Sequence, residues 1–489
     1  MVARNWNPTR QPREPALSRP DLSLCMIFRD EETMLPDFIA SVEGLWDELI
    51  AIDTGSTDRS AELLRTAGAQ VRKFTWRDDF AAARNASLEP ATGRWILFLD
   101  ADERPTPELR NQIRALLRDP AAGAATLVMR NEWPDGTVRR SHLLRLFRND
   151  PAIRFRHRIH EDVHDAIHDY LPRHGLTLRH LPGTVHHLGY TREVARNRDK
   201  KERDLALLRL SLQEDPRDFY CWFKVMEIAR FWGDEPLWEE TATQVVELLA
   251  GLTAQESTRL RAHRFSGELV ALAAARLPGD DTARLAWLEQ ASTHAGGRTD
   301  AHPALEMRRG LLLENLGRLE EAAEAFTRAL DQSRARGDQE LRPRLALCRL
   351  ALARGDLPQA VDQIAAAVAL NPHDPEARLA ALSLGRNLVG NGVVDAAAHI
   401  LEPLATADPE AAIGYLVCCL CLDKPVDLQV DVTAQQAEIL LKTWVRRLWE
   451  SRQVPRLEAF ATASGSIAGL FPWLPSFLAA ETARLQTPA

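Results

Sequence analysis

The sequence predicts an α/β domain built on a parallel sheet, followed by an all-α region of helical repeats. Three observations carry that reading. Short apolar runs alternate with helix-periodic segments in the first part of the chain, two of those runs end in acidic turns, and beyond residue 190 strand signals nearly vanish. Residues 21–28 read as strand, 34–44 as helix, 48–53 as strand and 59–67 as helix. Residues 69–74 follow as strand and 80–89 as helix, with Asp79 placed to cap it. Strand returns at 94–100, then an amphipathic helix at 107–118. This βαβα order predicts helices on both faces of a parallel sheet. From 124 to 187 the segments turn β-rich, as in Ala125-Thr126-Leu127-Val128-Met129 and Ser141-His142-Leu143-Leu144-Arg145-Leu146-Phe147, and are expected to form an antiparallel half.

The run Trp95-Ile96-Leu97-Phe98-Leu99 is too short for a core helix and reads as a strand buried on both faces. It stops on Asp100-Ala101-Asp102, at the sheet edge where open α/β sheets bind ligands. Two carboxylates there can hold a hard divalent cation that neutralises a diphosphate, or can cap the next helix. A second acidic turn raises the ligand reading: residues 48–53 end in Asp53-Thr54-Gly55-Ser56-Thr57-Asp58, where Gly allows a tight turn and the polar residues can cap a helix. Two such crevice elements suggest a nucleotide-shaped ligand.

Asp53-Thr54-Gly55-Ser56-Thr57-Asp58, then Asp78-Asp79-Phe80-Ala81-Ala82-Ala83-Arg84-Asn85, then Leu99-Asp100-Ala101-Asp102-Glu103 resemble the ordered motifs of family 2 glycosyltransferases with the GT-A fold. The resemblance implies a Rossmann-like domain that binds a nucleotide sugar, with UDP-sugar as donor and Mn2+ or Mg2+ as cofactor. Asp102 would ligate the metal, and Asp100 would reach the ribose, or the metal through water. Asp53 would accept a hydrogen bond from the base, and Phe28, Arg29 and Glu31 would line the donor pocket. Arg84 and Asn85 match positions beside the diphosphate. Arg158-Ile159-His160-Glu161-Asp162, preceded by Arg145-Leu146-Phe147-Arg148, is similar to signatures of the subgroup that fuses this transferase to tetratricopeptide repeats. Glu161 is the candidate general base there, with Asp162 the alternative and a salt bridge to a nearby arginine the structural reading. Val185-His186-His187-Leu188-Gly189-Tyr190 is similar to the closing motif of that domain, and implies His187 as a further metal ligand. The Gln-x-x-Arg-Trp signature of processive synthases is absent, which favours transfer of a single sugar. His157, His160, His164 and His168 would share one face if that stretch were helical, but no further ligands are arranged around them for zinc.

In the helical part, Gly310, Gly317, Ala322, Phe326 and Ala329 recur as Gly355, Ala360, Ile364, Ala367 and Pro372. A third set is Gly385, Gly392, Ala397, Leu401, Leu404 and Pro409, and an earlier copy follows Pro216 with Trp222, Ala229 and Gly233. These positions resemble the tetratricopeptide pattern of small residues where two helices cross, so the region is expected to be a helical solenoid.

A chain of 489 residues can hold two or three domains with substantial cores. A net charge of −8 argues against general nucleic-acid binding. Residues 1–20 carry Arg and Pro without an apolar stretch and are expected to be a disordered lead-in. No run is long and apolar enough for a transmembrane segment, and cytoplasmic localisation is expected. Six cysteines form no disulfide framework, and Cys418, Cys419 and Cys421 read as packing residues of a buried helix. The expected division is 1–20 lead-in, 21–195 GT-A domain and 196–489 tetratricopeptide-like region. The expected function is metal-dependent, inverting transfer of one sugar to a protein, peptide or glycan acceptor, with a homodimer through the repeats compatible. An inactive transferase-like domain serving as an interaction scaffold is the alternative.

Overall fold

The computed structural model describes residues 20–132, 138–188, 197–263, 265–295, 302–336, 340–425 and 433–486. The lead-in expected at 1–20, apart from Pro20, lies outside these residues, as do Gly189, Tyr190 and the expected limit at 195. The chain divides into two compact units, Met1–Ile228 and Ala229–Ala489.

The first unit is organised by an eight-stranded sheet. Its strands are β1 (Leu22–Phe28), β2 (Glu48–Asp53), β3 (Gln70–Lys73), β4 (Trp95–Phe98), β5 (Glu103–Pro105), β6 (Ala122–Glu132), β7 (Val138–Arg148) and β8 (Thr177–His187), in the spatial order β3-β2-β1-β4-β7-β6-β8-β5. The helices are α1 (Leu35–Val42), α2 (Ser60–Thr66), α3 (Phe80–Leu88), α4 (Pro107–Leu116) and α5 (His164–Arg173), followed by α6 (Asn197–Glu214). The first four strands are parallel, as the alternation of apolar runs and helices requires. Successive residues of β1 point to opposite faces. Leu22, Leu24 and Met26 enter a core with Phe38 and Ile113, while Cys25 enters another with Ile50, Phe98 and Phe147. Burial on both faces explains why β1, β2 and β4 read as unbroken apolar runs.

The expected antiparallel half is mixed. β7 pairs antiparallel with β4 and β6, but β6 pairs parallel with β8. Two parallel strands need a crossover, and β7 with α5 supplies it. Only His164 and His168 of the four spaced histidines lie in α5; His157 and His160 sit in the preceding loop with φ of 71° and 55°. Among the described residues no helix is long and apolar enough to cross a membrane.

The boundary between units falls within α7 (Phe219–Trp232). The second unit continues with α8 (Glu235–Ala250), α9 (Ala254–Ala262), α10 (Ser266–Arg276), α11 (Asp281–Ala295), α12 (Pro303–Asn315), α13 (Leu319–Arg336), α14 (Leu341–Ala353), α15 (Leu357–Leu370), α16 (Pro375–Gly390), α17 (Val394–Leu401), α18 (Pro409–Cys421), α19 (Ala434–Glu450), α20 (Val454–Ala463) and α21 (Leu474–Gln486). α12 with α13, α14 with α15, and α16 with α17 form successive packed pairs. Gly317, Gly355 and Gly392 take φ of 73°, 74° and 76° in the three connecting turns, a conformation that favours glycine. All six cysteines are buried free thiols, three of them in α18.

Gly310 lies where α12 crosses α13: a Cβ there would stand 2.4 Å from the Phe326 ring, and Phe326 is fully buried. Gly310→Val is therefore expected to lower stability by about 1–3 kcal/mol through overpacking. Urea unfolding followed by helical circular dichroism measures it, and an unchanged midpoint would mean that the two helices do not cross this closely.

Candidate active site

β1, β2 and β4 end side by side, and their following loops carry the acidic turns. Register places Phe28 opposite Asp53, and both the amide and the hydroxyl of Thr54 donate to the Phe28 carbonyl at 3.1 Å. Asp53 is buried, and its Oδ1 accepts from the amides of Gly55 (3.0 Å) and Ser56 (2.7 Å). Gly55 at φ 118° makes that turn affordable. The Glu31 amide donates to Ser60 Oγ at 2.7 Å, and Asp30 Oδ1 accepts from the Thr57 amide at 2.7 Å. Arg29 is exposed and lies 3.8 Å from Asp30. The Asp-Thr-Gly-Ser-Thr-Asp turn thus builds a stitched rim in which Phe28 is buried and Arg29 faces outward.

Beyond β4 the charged groups alternate in sign. Arg84 on α3 donates from Nη2 to Asp100, with an oxygen at 3.0 Å, and from Nε to Glu161 Oε1 at 2.5 Å. Arg84 Nη1 is buried with no acceptor. Its guanidinium lies 4.9 Å from the Phe98 ring centroid, and that of Arg145 lies 4.4 Å from the same ring. Arg145 donates to Glu103 at 2.5 Å and lies 3.7 Å from Asp100. A β-bulge aims it there: Ala125 faces Leu146 and Thr126 faces Leu144, which leaves Arg145 as the extra residue. The Asp100 amide donates back to Glu103 Oε2 at 3.0 Å.

These contacts shift the protonation equilibria in opposite senses. Burial alone would raise Asp100, but Arg84 and Arg145 hold it below the usual carboxylate range. Burial pushes Glu103 up to about 7, with Asp100 and Asp102 adding to the rise and Arg145 opposing it.

Asp102 and His187 meet on the other side of the same loop. His187 Nε2 lies 3.1 Å from Asp102 Oδ2, and Nδ1 lies 2.7 Å from Asn131 Oδ1. Strand register accounts for the meeting, since His187 is opposite Glu103 of β5 and Asn131 of β6. An Nδ1–H donated to Asn131 leaves the Nε2 lone pair facing a carboxylate, so a proton or a cation must sit between them. Burial disfavours charge on His187, but the hydrogen bond and charge of Asp102, with Glu103 and Asp100, raise its pKa overall. This donor set suits a divalent cation of Mn2+ or Mg2+ type: imidazole and carboxylate, with the second ring nitrogen fixed by an amide. Among the described residues no three His, Cys, Asp or Glu side chains already form a metal cage. Asp100 is turned toward the arginines rather than to the Asp102–His187 pair.

The loop carrying Glu161 is strained and tied down along its length. His157 and His160 both occupy the left-handed region. Asn85 uses both amide atoms on the Phe155 backbone, each at 2.9 Å, and the Phe80 amide donates to the Arg158 carbonyl at 2.8 Å. Asp79 caps α3 through the Ala82 amide at 2.8 Å. Asp162 Oδ1 accepts from the His164 amide at 3.1 Å, at the start of α5. Tyr220 of α7 stacks on His157 with 3.7 Å between centroids and donates its hydroxyl to the His160 carbonyl at 2.6 Å. Arg158 pairs with Glu214 at the end of α6.

The structure thus brings together Arg84, Asp100 and Glu161, and separately Asp102 and His187. Asp53 and Asp162 are engaged with local backbone, and Asn85 with the backbone of Phe155, 70 positions along the chain. Sequence reasoning had not assigned roles to Glu103, Asn131, Arg145 or Tyr220. Arg145, in the Arg-Leu-Phe-Arg motif, and Glu103, at the end of the Leu-Asp-Ala-Asp-Glu motif, carried a signal; Asn131 and Tyr220 did not.

Residues 23–174 match the family described as Glycosyl transferase family 2. A TPR repeat-containing protein of Synechococcus elongatus is 43% identical over 207 residues, 42% of this chain and 51% of that protein. The SPbeta prophage-derived glycosyltransferase SunS of Bacillus subtilis is 24% identical over 205 residues, 41% of this chain and 47% of that protein. The chain thus spans about half the length of these curated relatives. The crystal structure of S. aureus TarS 1–349 superposes with a TM-score of 0.31 at 12% identity, covering 61% of this chain and 92% of that one. Residues 23–174 are a family 2 glycosyl transferase domain, and the same chain continues into helical, tetratricopeptide-like repeats.

Proposed function

We propose that the protein is a metal-dependent, inverting glycosyltransferase that moves one sugar from a UDP-sugar to a protein, peptide or glycan acceptor. The observation that carries this reading is the Asp102–His187 pair at 3.1 Å, with Asn131 fixing the ring, at the sheet rim where α/β folds bind ligands. Asp102 and His187 would hold Mn2+ or Mg2+, which when bound neutralises charge on the departing diphosphate. Asp100 orients Arg84 and takes the ribose side, while the stitched turn around Asp53 offers the base a rigid wall. Arg84, with Nη1 unpartnered, turns to the diphosphate when the donor binds and releases Glu161. Glu161 then accepts the acceptor's proton as it attacks the anomeric carbon. Asp162 is the alternative base. The helical repeats offer an extended surface for the acceptor. Six free thiols agree with a reducing compartment, and we assign the reaction to the cytoplasm.

The test is UDP release by the full chain across a panel of UDP-sugars, with Mn2+ and with EDTA. Metal-dependent release supports the reading. Absence of release with every donor and a range of peptide and glycan acceptors would favour the inactive scaffold.

The anchoring of the Glu161 loop by α7 gives a second expectation. Tyr220→Phe keeps the stack on His157 but removes the hydroxyl that holds the His160 carbonyl, so kcat should fall about fivefold with KM for the donor unchanged. An equal loss in KM alone would place Tyr220 in donor binding instead.

A further inference from the structure

In the second unit, the charges of three arginines on other helices reach a fourth, Arg308, and the nearby acids do not pair them all. Arg276 ends α10, Arg284 lies in the first turn of α11, Arg308 lies within α12 and Arg230 stands near the end of α7. Helix α12 packs against both α10 and α11. The acids at hand are already engaged. Glu235 takes Arg276 through both oxygens, one at 2.9 Å, and Asp281 takes Arg284 Nη1 at 3.0 Å and Asn315 Nδ2 at 2.9 Å. Arg276 also lies against the Trp238 ring, 4.5 Å from its centroid, which fixes its direction.

Arg308 is left over. Its Nε is buried with no acceptor, and among the described residues the side chains of Arg308 and Arg230 have no hydrogen-bond or ion-pair partner. The Arg308 side chain is only half-buried, so a solute can reach it. Burial and then the charges of Arg276, Arg230 and Arg284 push its pKa down to about 10, against Asp281 alone. An arginine serving packing would either find a carboxylate or carry its head fully into water. Holding like charges together in a half-buried place is unfavourable until an anion joins them. The guanidinium fork suits oxyanions, which accept two parallel N–H bonds.

We propose that Arg308, with exposed Arg230 and with Arg276 and Arg284 of the helices packed against α12, forms a binding site for an oxyanion group, phosphate or carboxylate, in the helical region. The site is separate from the transferase centre and does not depend on the function proposed for it.

The full chain is titrated with sodium phosphate and with sodium succinate at matched ionic strength, with sodium chloride as control, by calorimetry and by thermal melting. One of the two anions is expected to bind and raise the midpoint, and the stronger of them names the group. Arg308→Met should melt higher than the parent by about 2 °C without added anion, because repulsion is relieved, and should bind about tenfold more weakly or not at all. Arg230→Glu, at an exposed position where folding is insensitive, should weaken binding as well by putting a carboxylate in place of one of the arginines. No response to either anion beyond chloride, or an Arg308→Met protein that melts lower and binds as the parent does, overturns the proposal.

Discussion

Asp102→Asn is expected to reduce metal-dependent UDP release about a thousandfold or more, a loss of several kcal/mol of transition-state stabilisation. The substitution is nearly isosteric, and the amide can still hydrogen-bond to His187, so shape at the β5–β8 pairing is kept. What disappears is the charge. Asp102 is 27% exposed, so its carboxylate is reached from solvent rather than locked in the core. The thermal midpoint should therefore stay within about 2 °C of the parent, since surface-accessible substitutions outside a packed core cost about 0.5 kcal/mol or less. Mn2+ binding measured by calorimetry should weaken in parallel, and His187→Ala should weaken it too, by more than the roughly 10- to 100-fold that losing an outer partner of a ligand costs. Full Mn2+-dependent turnover by Asp102→Asn would remove the metal from the reaction. Lost turnover with intact Mn2+ binding would move the cation elsewhere.

The sheet was legible where burial decides sequence. β1, β2 and β4 are covered on both faces, so they had to be apolar runs, and the acids that end β2 and follow β4 marked the rim without any knowledge of pairing. Asp79 was legible as a cap because an acidic residue before a helical pattern has one obvious local partner, the Ala82 amide. The repeat region was legible through Gly310 and Gly317, one demanded by a helix crossing and one by a turn. Harder to see was β8, whose first half is largely exposed and whose middle carries Pro182 and Gly183. Gly183 is there because α4 crosses it: a Cβ would lie 2.7 Å from the Leu109 backbone, a contact across more than seventy positions that no local pattern announces.

The same distinction separates the parts of the candidate site. Asp100 and Asp102 are one residue apart and follow the same strand, so their location followed from the strand. Their different environments did not, because each is set by a partner far along the chain. Arg145 reaches Glu103 across 42 positions, and only because a bulge in β7 turns it inward. His160 illustrates the converse error of periodicity. Its three- and four-residue spacing from other histidines fits a helix, but the backbone there is left-handed and held by Tyr220 across 60 positions.

Arg84→Met is expected to destabilise the first unit by about 3–5 kcal/mol, the range found when one member of a buried ion pair is removed. The Arg84 and Glu161 side chains are 9% and 10% exposed, and the 2.5 Å contact between them is the shortest link between α3 and the 155–162 loop. Methionine fills much of the volume between Phe98 and Phe155 but leaves Glu161 without its countercharge. Asp100 fares better, because Arg145 remains 3.7 Å away. The two carboxylates therefore make different predictions for second substitutions. Adding Glu161→Gln to Arg84→Met should recover about 1–3 kcal/mol, because it removes the stranded charge, whereas adding Asp100→Asn should recover little. Arg84→Lys keeps the charge but cannot span both acids with one planar fork, so its stability should fall between the parent and Arg84→Met. Equilibrium unfolding monitored by tryptophan fluorescence, with Trp95 fully buried in the sheet core of the same unit, reads all five proteins. Equal recovery by the two second substitutions would show that Arg84 serves Asp100 and Glu161 alike, and that the loop is held by its backbone ties rather than by this ion pair.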